Sequence, residues 1–471
     1  MKNKGYLSVL CATSLLVFMQ GCTLHTVDQS PKPPIITPEH YAMSGSVDTP
    51  DRWWQSFNDD DLNQIIDIAL SDNFDLRMGW ARMEQANAIA RQAGAAGKPQ
   101  LSYNAGTQRN RSFMSFGGNQ TRNESADFSH SLAASYEVDL WNRIASSRQA
   151  AELDWQATRD DVETIAISLS ANLCDLWFSA IEKRARLDLI NRQIDVSQTF
   201  LDLTESRFGQ GMTSAVDVYQ QRSQLASIRS LIPTVESQLT LSQHQLSVLM
   251  GRAPRYELPE QPNILPQLSP LPETGVPSDL LTRRPDIRSA QKRLVAADHR
   301  IAAAVADKYP ILSLTGRTGL GGDQLDQLFS NWIWTITANT AVPILDGNRR
   351  SAEVDRTRAV VKEKLLAYGD AVLTAIKEVE DSLTQEQKQK EYLERLQKQL
   401  EIAKQTLSET RSRYVGGLGN YLPVLTALQA VQQVERSELE ARRNLINFRI
   451  QLHRALGGVW PSELQDNSNN Q

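Results

Sequence analysis

The strongest constraint in this sequence is a segment from Asn119 to Phe208 that contains neither glycine nor proline. Within it an apolar residue recurs at every seventh position, at Ala166, Leu173, Ala180, Leu187, Ile194, Leu201 and Phe208. Such a stripe is typical of coiled-coil packing. A helix from about Ile144 to Arg207 would be about 95 Å long, at about 1.5 Å per residue, and no compact domain is that wide. Ordinary helices of a soluble bundle would explain the period but not this length.

The long segment occurs twice in the chain. The run Arg207-Phe208-Gly209-Gln210-Gly211-Met212 returns as Arg413-Tyr414-Val415-Gly416-Gly417-Leu418. The seven-residue stripe returns at Val372, Val379, Glu386, Leu393, Leu400, Leu407 and Tyr414, with Glu386 as its one polar member. Each copy is followed by a helix of the same period, at Val218, Leu225, Ile232, Leu239 and Leu246, and at Val424, Val431, Glu438, Leu445 and Leu452. We therefore predict two long antiparallel helical hairpins with turns near residues 209–214 and 415–421.

Segments with the pattern of membrane strands lie between the predicted helices. Residues 128–140 alternate between an apolar face and a face of Ser, Glu and Asp, and residues 332–342 alternate between Trp, Ile or Ala and Thr or Asn. Residues 101–111 and 311–320 are weaker candidates. A strand of about 12 residues tilted by roughly 40° spans about 30 Å, enough for the hydrocarbon core of a bilayer. A soluble four-stranded sandwich is the alternative.

Four strands cannot close a barrel in lipid, because every backbone polar group at a sheet edge needs a partner. Other copies of the chain must then contribute strands. A dimer would supply about 8 strands around a filled interior, whereas a trimer would supply about 12 strands around a lumen. We favour the trimer. The fold class predicted is therefore an all-α coiled-coil barrel of about 12 helices joined to a transmembrane β-barrel of about 12 strands.

The predicted domain boundaries follow the repeat. The signal peptide, N-terminal extension, first repeat, Pro-rich linker, second repeat and C-terminal tail are assigned to residues 1–21, 22–60, 61–250, 251–278, 279–456 and 457–471. The strands are predicted at about 101–112, 127–140, 311–320 and 331–343, and the helical hairpins at about 144–250 and 350–456.

The N-terminus carries a targeting segment. Lys2 and Lys4 precede an apolar run, Leu7 to Phe18, that is too short to span a bilayer as a helix. The junction Gly21-Cys22 that follows is typical of a lipoprotein signal, in which the Cys22 sulfur is acylated. A signal peptide with an incidental cysteine is the alternative. No other long apolar segment follows, so no transmembrane helix is expected in the mature chain.

Composition argues against an enzyme. The net charge of -5 gives no reason to expect a nucleic-acid partner, and the three cysteines cannot build a disulfide framework or a thiolate metal site. The six histidines are scattered, and the common phosphate-binding, zinc-protease and serine-nucleophile motifs are missing from the sequence. We expect neither catalytic residues nor a cofactor or metal.

Several motifs together give the chain a specific resemblance. They are Gly21-Cys22, Trp53-Trp54-Gln55-Ser56-Phe57, Ser135-Tyr136-Glu137-Val138-Asp139-Leu140-Trp141, Leu281-Thr282-Arg283-Arg284-Pro285-Asp286-Ile287 and Pro343-Ile344-Leu345-Asp346-Gly347-Asn348-Arg349. With them the chain resembles the TolC-like outer membrane factors of Gram-negative bacteria, in the lipoprotein branch that includes OprM, CusC, NodT and the VceC type of Vibrio. The resemblance implies a homotrimeric duct in the outer membrane. It would pass drugs, detergents or metal ions from an inner-membrane RND or MFS pump through a periplasmic adaptor, the membrane fusion protein.

The resemblance also implies a gate and a docking surface at the hairpin turns. Family members narrow the periplasmic end with a ring on the last hairpin, which here corresponds to Gly417 to Leu422. This stretch lacks an acid, so we expect closure by apolar packing and dewetting. The candidate gate residues are Leu418, Tyr421 and Leu422, with Asp217 as a weaker candidate. The candidate adaptor-docking residues, which would otherwise only close the turns, are Gly209, Gly211, Thr213, Gly416, Gly417 and Gly419.

Three further interpretations stay open at this stage. A duct for peptide or protein secretion would share the architecture, and a metal efflux duct would too, although no methionine cluster supports the latter. A lipid-anchored coiled-coil scaffold in the periplasm is a different class. Trp53, Trp54 and Phe57 are expected to pack the N-terminal extension onto the helices, Cys174 to be buried, and Arg283 and Arg284 to pair with carboxylates.

Overall fold

The computed structural model describes residues 24–47, 52–116, 119–259, 261–324, 329 and 331–458. The predicted signal peptide, Cys22 and residues 459–471 lie outside the described residues. The chain divides into two compact units that do not follow the two sequence repeats, because each unit contains parts of both. The first unit consists of Met1–Pro34, Arg82–Arg159 and Ser289–Gly369, and the second of Ile35–Ala81, Asp160–Arg288 and Asp370–Gln471.

The described elements alternate between helical and strand segments in the order that the repeat predicts. After a 3-10 turn at Trp53–Phe57, the helices α1 to α9 are Asp60–Asp72, Phe74–Ala95, Arg143–Gly209, Ala215–Arg229, Leu231–Leu249, Leu280–Arg283, Pro285–Ala306, Arg349–Val415 and Leu422–Ala455. The strands β1 to β4 are Gln100–Phe116, Asn119–Val138, Ile311–Gly322 and Trp332–Ala341.

The four strands of the first unit form one antiparallel sheet in the order β1-β2-β3-β4. The strands β1 and β2 are longer than predicted, because β1 continues to Phe116 and β2 begins at Asn119. The extra segment of β2 carries Arg122 and Glu124, which break the apolar alternation. The pair Phe128↔Gly322 is the last pairing between β2 and β3, so the β1–β2 hairpin extends beyond β3 and β4 at this end of the sheet.

The strand register separates the sheet into two chemically different faces. One face carries apolar side chains that are exposed in the single chain, including Tyr103, Leu132, Leu314, Trp332, Trp334 and Ile336. The other face carries small polar side chains, including Ser102, Asn104, Ser131, Ser135, Thr315, Thr335 and Thr337. We call these the apolar face and the polar face of the sheet.

The helices α3 and α8 are the longest elements, with 67 residues each. At about 1.5 Å per residue each is about 100 Å long. The predicted stripe is the packed side of both helices, since Leu173 and Ala180 in α3, and Val372 and Val379 in α8, are fully buried. By length and composition α3 could cross a membrane, although 61% of its most apolar window is buried inside the protein. The neighbouring Cys174 and Trp177 are buried in the same packing.

The two return helices differ in continuity. The first is divided into α4 and α5 at Ser230, whereas α9 is unbroken over 34 residues. Pro233 lies in the first turn of α5 and has no backbone N–H to continue the hydrogen bonds of α4. The predicted stripe continues through this break, with Leu225 and Leu246 buried and Ile232 and Leu239 half-buried.

The one polar residue of the second stripe, Glu386, is buried in an ion pair. Its oxygens lie 2.7 and 2.9 Å from the guanidinium nitrogens of Arg449, and Lys390 approaches to 3.1 Å. Burial opposes ionisation, but the bonds from Arg449 and Lys390 outweigh it and lower the pKa of Glu386. Arg449 also donates to the backbone oxygens of Ser269 and Pro270, at 3.0 and 3.1 Å. The pair therefore fixes the Pro-rich linker to the second hairpin.

The aromatic residues near the N-terminus pack against the long helices of the second unit. Trp53 and Phe57 are buried, and the Trp53 ring stacks on His453 with centroids 5.2 Å apart. The Phe57 ring lies 4.9 Å from that of Phe178. Arg284 pairs with Asp286 and Glu378, each at 2.7 Å, a further fixed point between α7 and α8.

Replacing Arg449 with Met is expected to destabilise the protein by about 3 kcal/mol, because it leaves the Glu386 carboxylate buried without its main partner. The measurement is the thermal unfolding midpoint in detergent. Lys377→Met is the control, since Lys377 forms an exposed pair with Asp381 and should cost about 0.5 kcal/mol or less. Equal shifts in the two variants would contradict the assignment.

Acid is expected to weaken the packing around His453. Burial and the neighbouring Arg449 lower the pKa of His453 to about 4. The unfolded chain takes up a proton near pH 6.5 and the folded chain only near pH 4, so stability falls as pH drops through this window. The loss should approach about 3 kcal/mol by pH 4. Unfolding midpoints of His453→Phe should depend less on pH than those of the exposed control His40→Gln; parallel curves would refute this.

Candidate functional site at the helical hairpin tips

The first hairpin tip connects α3 to α4 through residues 210–214. Gly211 has a backbone φ of +75°. Its N–H donates to the oxygen of Phe208 at 2.9 Å, and the N–H of Met212 donates to the oxygen of Arg207 at 2.9 Å. These two bonds form a Schellman motif with glycine in the left-handed position. Gly211 therefore ends α3, because a residue with a Cβ would be strained there.

The second tip repeats this geometry bond for bond. Gly417 has a φ of +74° and donates to the oxygen of Tyr414 at 3.1 Å, while Leu418 donates to the oxygen of Arg413 at 2.8 Å. The sequence repeat at the two tips is thus also a repeat of backbone hydrogen bonds. It places Met212 and Leu418 at equivalent positions directly after the left-handed glycine.

The other glycines of the tips have no such backbone role. A Cβ on Gly209, the last residue of α3, would meet no atom within 4 Å. A Cβ on Gly416 would lie 3.3 Å from the oxygen of Ser412, and one on Gly419 would lie 3.8 Å from the Arg413 side chain. Among the glycines predicted to dock an adaptor, Gly209 is therefore the one that has open space beside it and is not required for the geometry of the turn.

Thr213 and Asp217 stabilise the first tip from within. Ser214 is the N-cap of α4, and its side chain and that of Asp217 bond each other's backbone N–H in a capping box. Thr213 Oγ1 donates to Asp217 Oδ2 at 2.5 Å. Partial burial opposes ionisation of Asp217, but the hydrogen bonds from Thr213 and Ser214 outweigh it and lower the pKa of its carboxyl group. The Asp217 carboxylate is therefore used to cap the start of α4.

Tyr421 lies inside the protomer rather than on its surface. Its side chain is 1% exposed and packs in a cluster with Phe200, Tyr414 and Val424. The hydroxyl donates to Gln221 on the other hairpin, and burial raises the pKa of the phenol. The inclusion of Tyr421 among the gate side chains therefore needs correction, because a buried ring cannot face a pore in this conformation.

The other two predicted gate residues are exposed. Leu418 is 77% exposed and Leu422 is 56% exposed. They belong to a group of large apolar side chains at the two tips that are all exposed in the single chain. This group, the tip patch, consists of Met212, Val216, Tyr219, Val415, Leu418 and Leu422. Sequence reasoning missed four of these residues, although the equivalence of Met212 and Leu418 within the repeat could have revealed Met212.

Direct contacts join the two tips. The Arg207 guanidinium lies 4.6 Å from the centre of the Tyr414 ring, a cation–π distance. Its Nη1 donates to the oxygen of Val415 at 3.2 Å. Arg207 of the first hairpin thus covers the last turn of α8, where partial negative charge on the free carbonyl groups favours a cation.

Farther along the hairpins, the contact is made by glutamines. Gln193 Nε2 donates to the backbone oxygen of Gln432 at 3.0 Å, and Gln432 Nε2 donates to Ser197 Oγ at 3.0 Å. Gln224 Nε2 donates to Gln432 Oε1 at 3.0 Å, and Gln429 Nε2 donates to Gln224 Oε1 at 2.7 Å. We call this row the glutamine seam. Gln193 also donates to Glu435 Oε2 at 3.0 Å and accepts from Arg436 Nη1 at 2.6 Å, so charge-assisted bonds strengthen the seam at this end.

Comparison with known proteins agrees with this architecture. The chain is 30% identical over 464 residues to the pyoverdine export outer membrane protein OpmQ of Pseudomonas putida, covering 96% of this chain and 98% of OpmQ. It is 29% identical to the toluene efflux pump outer membrane protein TtgF from another strain of Pseudomonas putida, covering 97% of each chain.

Solved structures share the fold. The outer-membrane channel OprN superposes with a TM-score of 0.87 at 25% identity, covering 93% of this chain and 99% of OprN. VceC of Vibrio cholerae superposes with a TM-score of 0.80 at 24% identity, covering 87% of this chain and 99% of VceC; that likeness shows the fold alone. The family model described as outer membrane efflux protein matches residues 65–252 and 276–458, one segment for each repeat. The chain therefore belongs to the outer membrane efflux protein family.

Proposed function

We propose that this chain passes small amphiphilic molecules through a lumen shared by three copies, with an apolar gate and an adaptor-docking surface at its hairpin tips. The chain is the outer membrane channel of a tripartite efflux system, located in the outer membrane and extending into the periplasm. It works as a homotrimer with a periplasmic adaptor and an inner-membrane pump. The route, the gate and the cargo are the subject of the proposal.

The observation that carries the proposal is the two-faced sheet. Its order is β1-β2-β3-β4, so β1 and β4 are each hydrogen-bonded along one side within the chain. In lipid, unpaired backbone groups cost several kcal/mol each, which drives β1 of one copy to pair with β4 of the next. Closure in this way turns the apolar face towards lipid and the polar face towards a lumen.

The lumen wall is suited to unselective passage. Side chains on the polar face are mainly Ser, Thr, Asn and Gln, and Arg317 is hydrogen-bonded to Ser131 at 3.1 Å. Such a wall hydrates a solute without binding one chemical group strongly. OpmQ is named for pyoverdine export and TtgF for toluene efflux. We therefore assign the chain small amphiphilic cargo, and infer that it acts as a passive duct without catalytic activity of its own.

The gate is assigned to Leu418 and Leu422. Both are exposed apolar residues of the second tip: Leu418 directly follows the left-handed Gly417, and Leu422 is the first residue of α9. Threefold symmetry repeats them around one axis, and a ring of leucines closes a narrow passage by packing and by dewetting. Tyr421 is buried inside the tip and packs beneath the leucines. Asp217 is not assigned to the gate, because its carboxylate is hydrogen-bonded in the capping box of α4.

Adaptor docking is assigned to the open surface around Gly209 and to Met212 and Val216 of the tip patch. A helix end that lacks a side chain permits close approach of another backbone. The neighbouring exposed apolar side chains supply area to bury. Acylation of Cys22 completes the proposal by anchoring the N-terminus of each copy in the membrane.

Two other functions remain as outcomes of the tests. Within the described residues, no group of three or more His, Cys, Asp or Glu side chains could hold a metal ion. A metal or peptide duct would conduct ions in the same way but would accept different cargo. A lipid-anchored scaffold would leave planar bilayers impermeable, so conductance of the purified mature chain is the test of the duct itself.

Replacing Leu418 with Ser is expected to raise the open probability of the reconstituted channel about tenfold, because one hydroxyl per copy lets water remain in the constriction. Leu422→Ser should act in the same direction, and single-channel recording in planar bilayers measures both. Leu241→Ser is the matched control, since Leu241 is 56% exposed but lies in α5, away from the tips. An open probability that is unchanged in both variants would contradict the assignment of the gate to these leucines.

Replacing Gly209 with Trp is expected to reduce efflux about tenfold, since the indole fills the open space where the adaptor docks. Export of Nile red from cells that depend on this channel measures the loss. Conductance of the purified variant should stay normal, since a Cβ at position 209 meets no atom within 4 Å. Ser237→Trp on the exposed side of α5 is the control. Normal dye export by the Gly209 variant would remove this surface from the docking site.

A further inference from the structure

The extension of the β1–β2 hairpin beyond the other strands carries a cluster of arginines. In residues 101–126 the sequence has three basic residues, Arg109, Arg111 and Arg122, and one acidic residue, Glu124. The register pairs Arg109 with Ala126, Arg111 with Glu124, and Phe113 with Arg122. These positions continue the same alternation as Tyr103 and Leu132, so the arginines lie on the apolar face of the sheet.

The three guanidinium groups converge on one carboxylate. Glu124 lies 3.5 Å from Arg109 and 3.3 Å from Arg111, and it also pairs with Arg122. Arg109 is 81% exposed, and Arg111 and Arg122 are each 52% exposed. One carboxylate neutralises one cation, so each chain keeps an excess of positive charge here. We call these four residues the arginine cluster.

The cluster lies directly beyond the apolar band. From Val138 to Phe128 the face of β2 carries apolar or aromatic residues, apart from His130, over about 33 Å of strand, or about 25 Å of bilayer depth at a tilt of roughly 40°. Arg109 and Arg111 pair two and four positions beyond Phe128 along β2, about 7 and 13 Å farther along the strand. Corrected for tilt, that places them about 5 to 10 Å outside the hydrocarbon, which is the headgroup layer.

Chain direction identifies the leaflet. The strand β1 begins after helix α2, and β2 ends before helix α3, so the helical connections lie at the Gln100 and Val138 ends of the strands. The arginine cluster lies at the opposite end of both strands. Since the helices of this family extend into the periplasm, the cluster belongs to the outer leaflet.

We propose that the arginine cluster binds the phosphate groups of an anionic lipid of the outer leaflet. Guanidinium groups bind phosphate oxygens through paired, charge-assisted hydrogen bonds, and a group of them forms a specific headgroup site. A phosphate displaces the Glu124 carboxylate from one or two arginines, and the acyl chains of the lipid lie along Tyr103, Phe128 and Leu132 below. The inference rests on the outer membrane location of the chain but not on its cargo or gate.

The test uses diphosphoryl lipid A as the probe. Native mass spectrometry of the detergent-solubilised channel should show retained lipid A, and the triple variant Arg109→Gln/Arg111→Gln/Arg122→Gln should retain about tenfold less. Monophosphoryl lipid A should bind the unmodified channel more weakly than the diphosphoryl form. The single variant Arg109→Gln, at the most exposed position, provides an intermediate loss if the triple variant folds poorly.

A matched control separates this site from general charge. The triple variant Arg82→Gln/Arg91→Gln/Arg395→Gln removes the same number of cations from exposed helical positions and should retain lipid A normally. Conductance should be unchanged in both triple variants, so failure of the duct and failure of the lipid site are distinguishable. Equal retention in all variants, or equal loss in the control, would overturn the proposal.

Discussion

The need to pair every backbone N–H and C=O group in lipid governs this structure. A sheet of four strands ends in β1 and β4, and water cannot satisfy their outer edges inside a bilayer. Joining with other copies removes those edges, and every later property depends on that closure. It gives the polar face of the sheet a lumen to line, and it repeats the hairpin tips around a common axis.

Local periodicity made most of the fold predictable. Spacing of seven marked the packed sides of α3 and α8, and the burial of Leu173 and Val379 follows it. The alternation of apolar and polar residues predicted only the part of β2 whose apolar face contacts the hydrocarbon of the bilayer. It failed between Asn119 and Asp127, because a strand that continues into the headgroup layer exchanges apolar residues for Arg122 and Glu124. The missed part of β2 therefore supplies Arg122 and Glu124 of the arginine cluster, whereas Arg109 and Arg111 lie in the predicted part of β1.

The hairpin tips were less predictable, since their chemistry depends on contacts between distant parts of the chain. The burial of Tyr421 requires Gln221 and Phe200 from the first hairpin, and no local pattern distinguishes it from exposed Leu418 and Leu422. The capping box at Ser214 and Asp217 was different, because it is a four-residue pattern that sequence alone could have identified. Gly211 and Gly417 are local as well, as left-handed helix ends.

The equal length of α3 and α8, 67 residues each, has an evolutionary consequence. A deletion in one helix would shift its hairpin tip away from the level of the other tips. It would also rotate every following residue out of the seven-residue apolar stripe. Selection would retain such a deletion only if it removed whole seven-residue repeats from both α3 and α8 and from the return helices that pack against them. Homologues that work in a wider or narrower periplasm should therefore differ from this chain by insertions or deletions of whole seven-residue repeats in both hairpins. Such changes should be rarer than amino-acid substitutions.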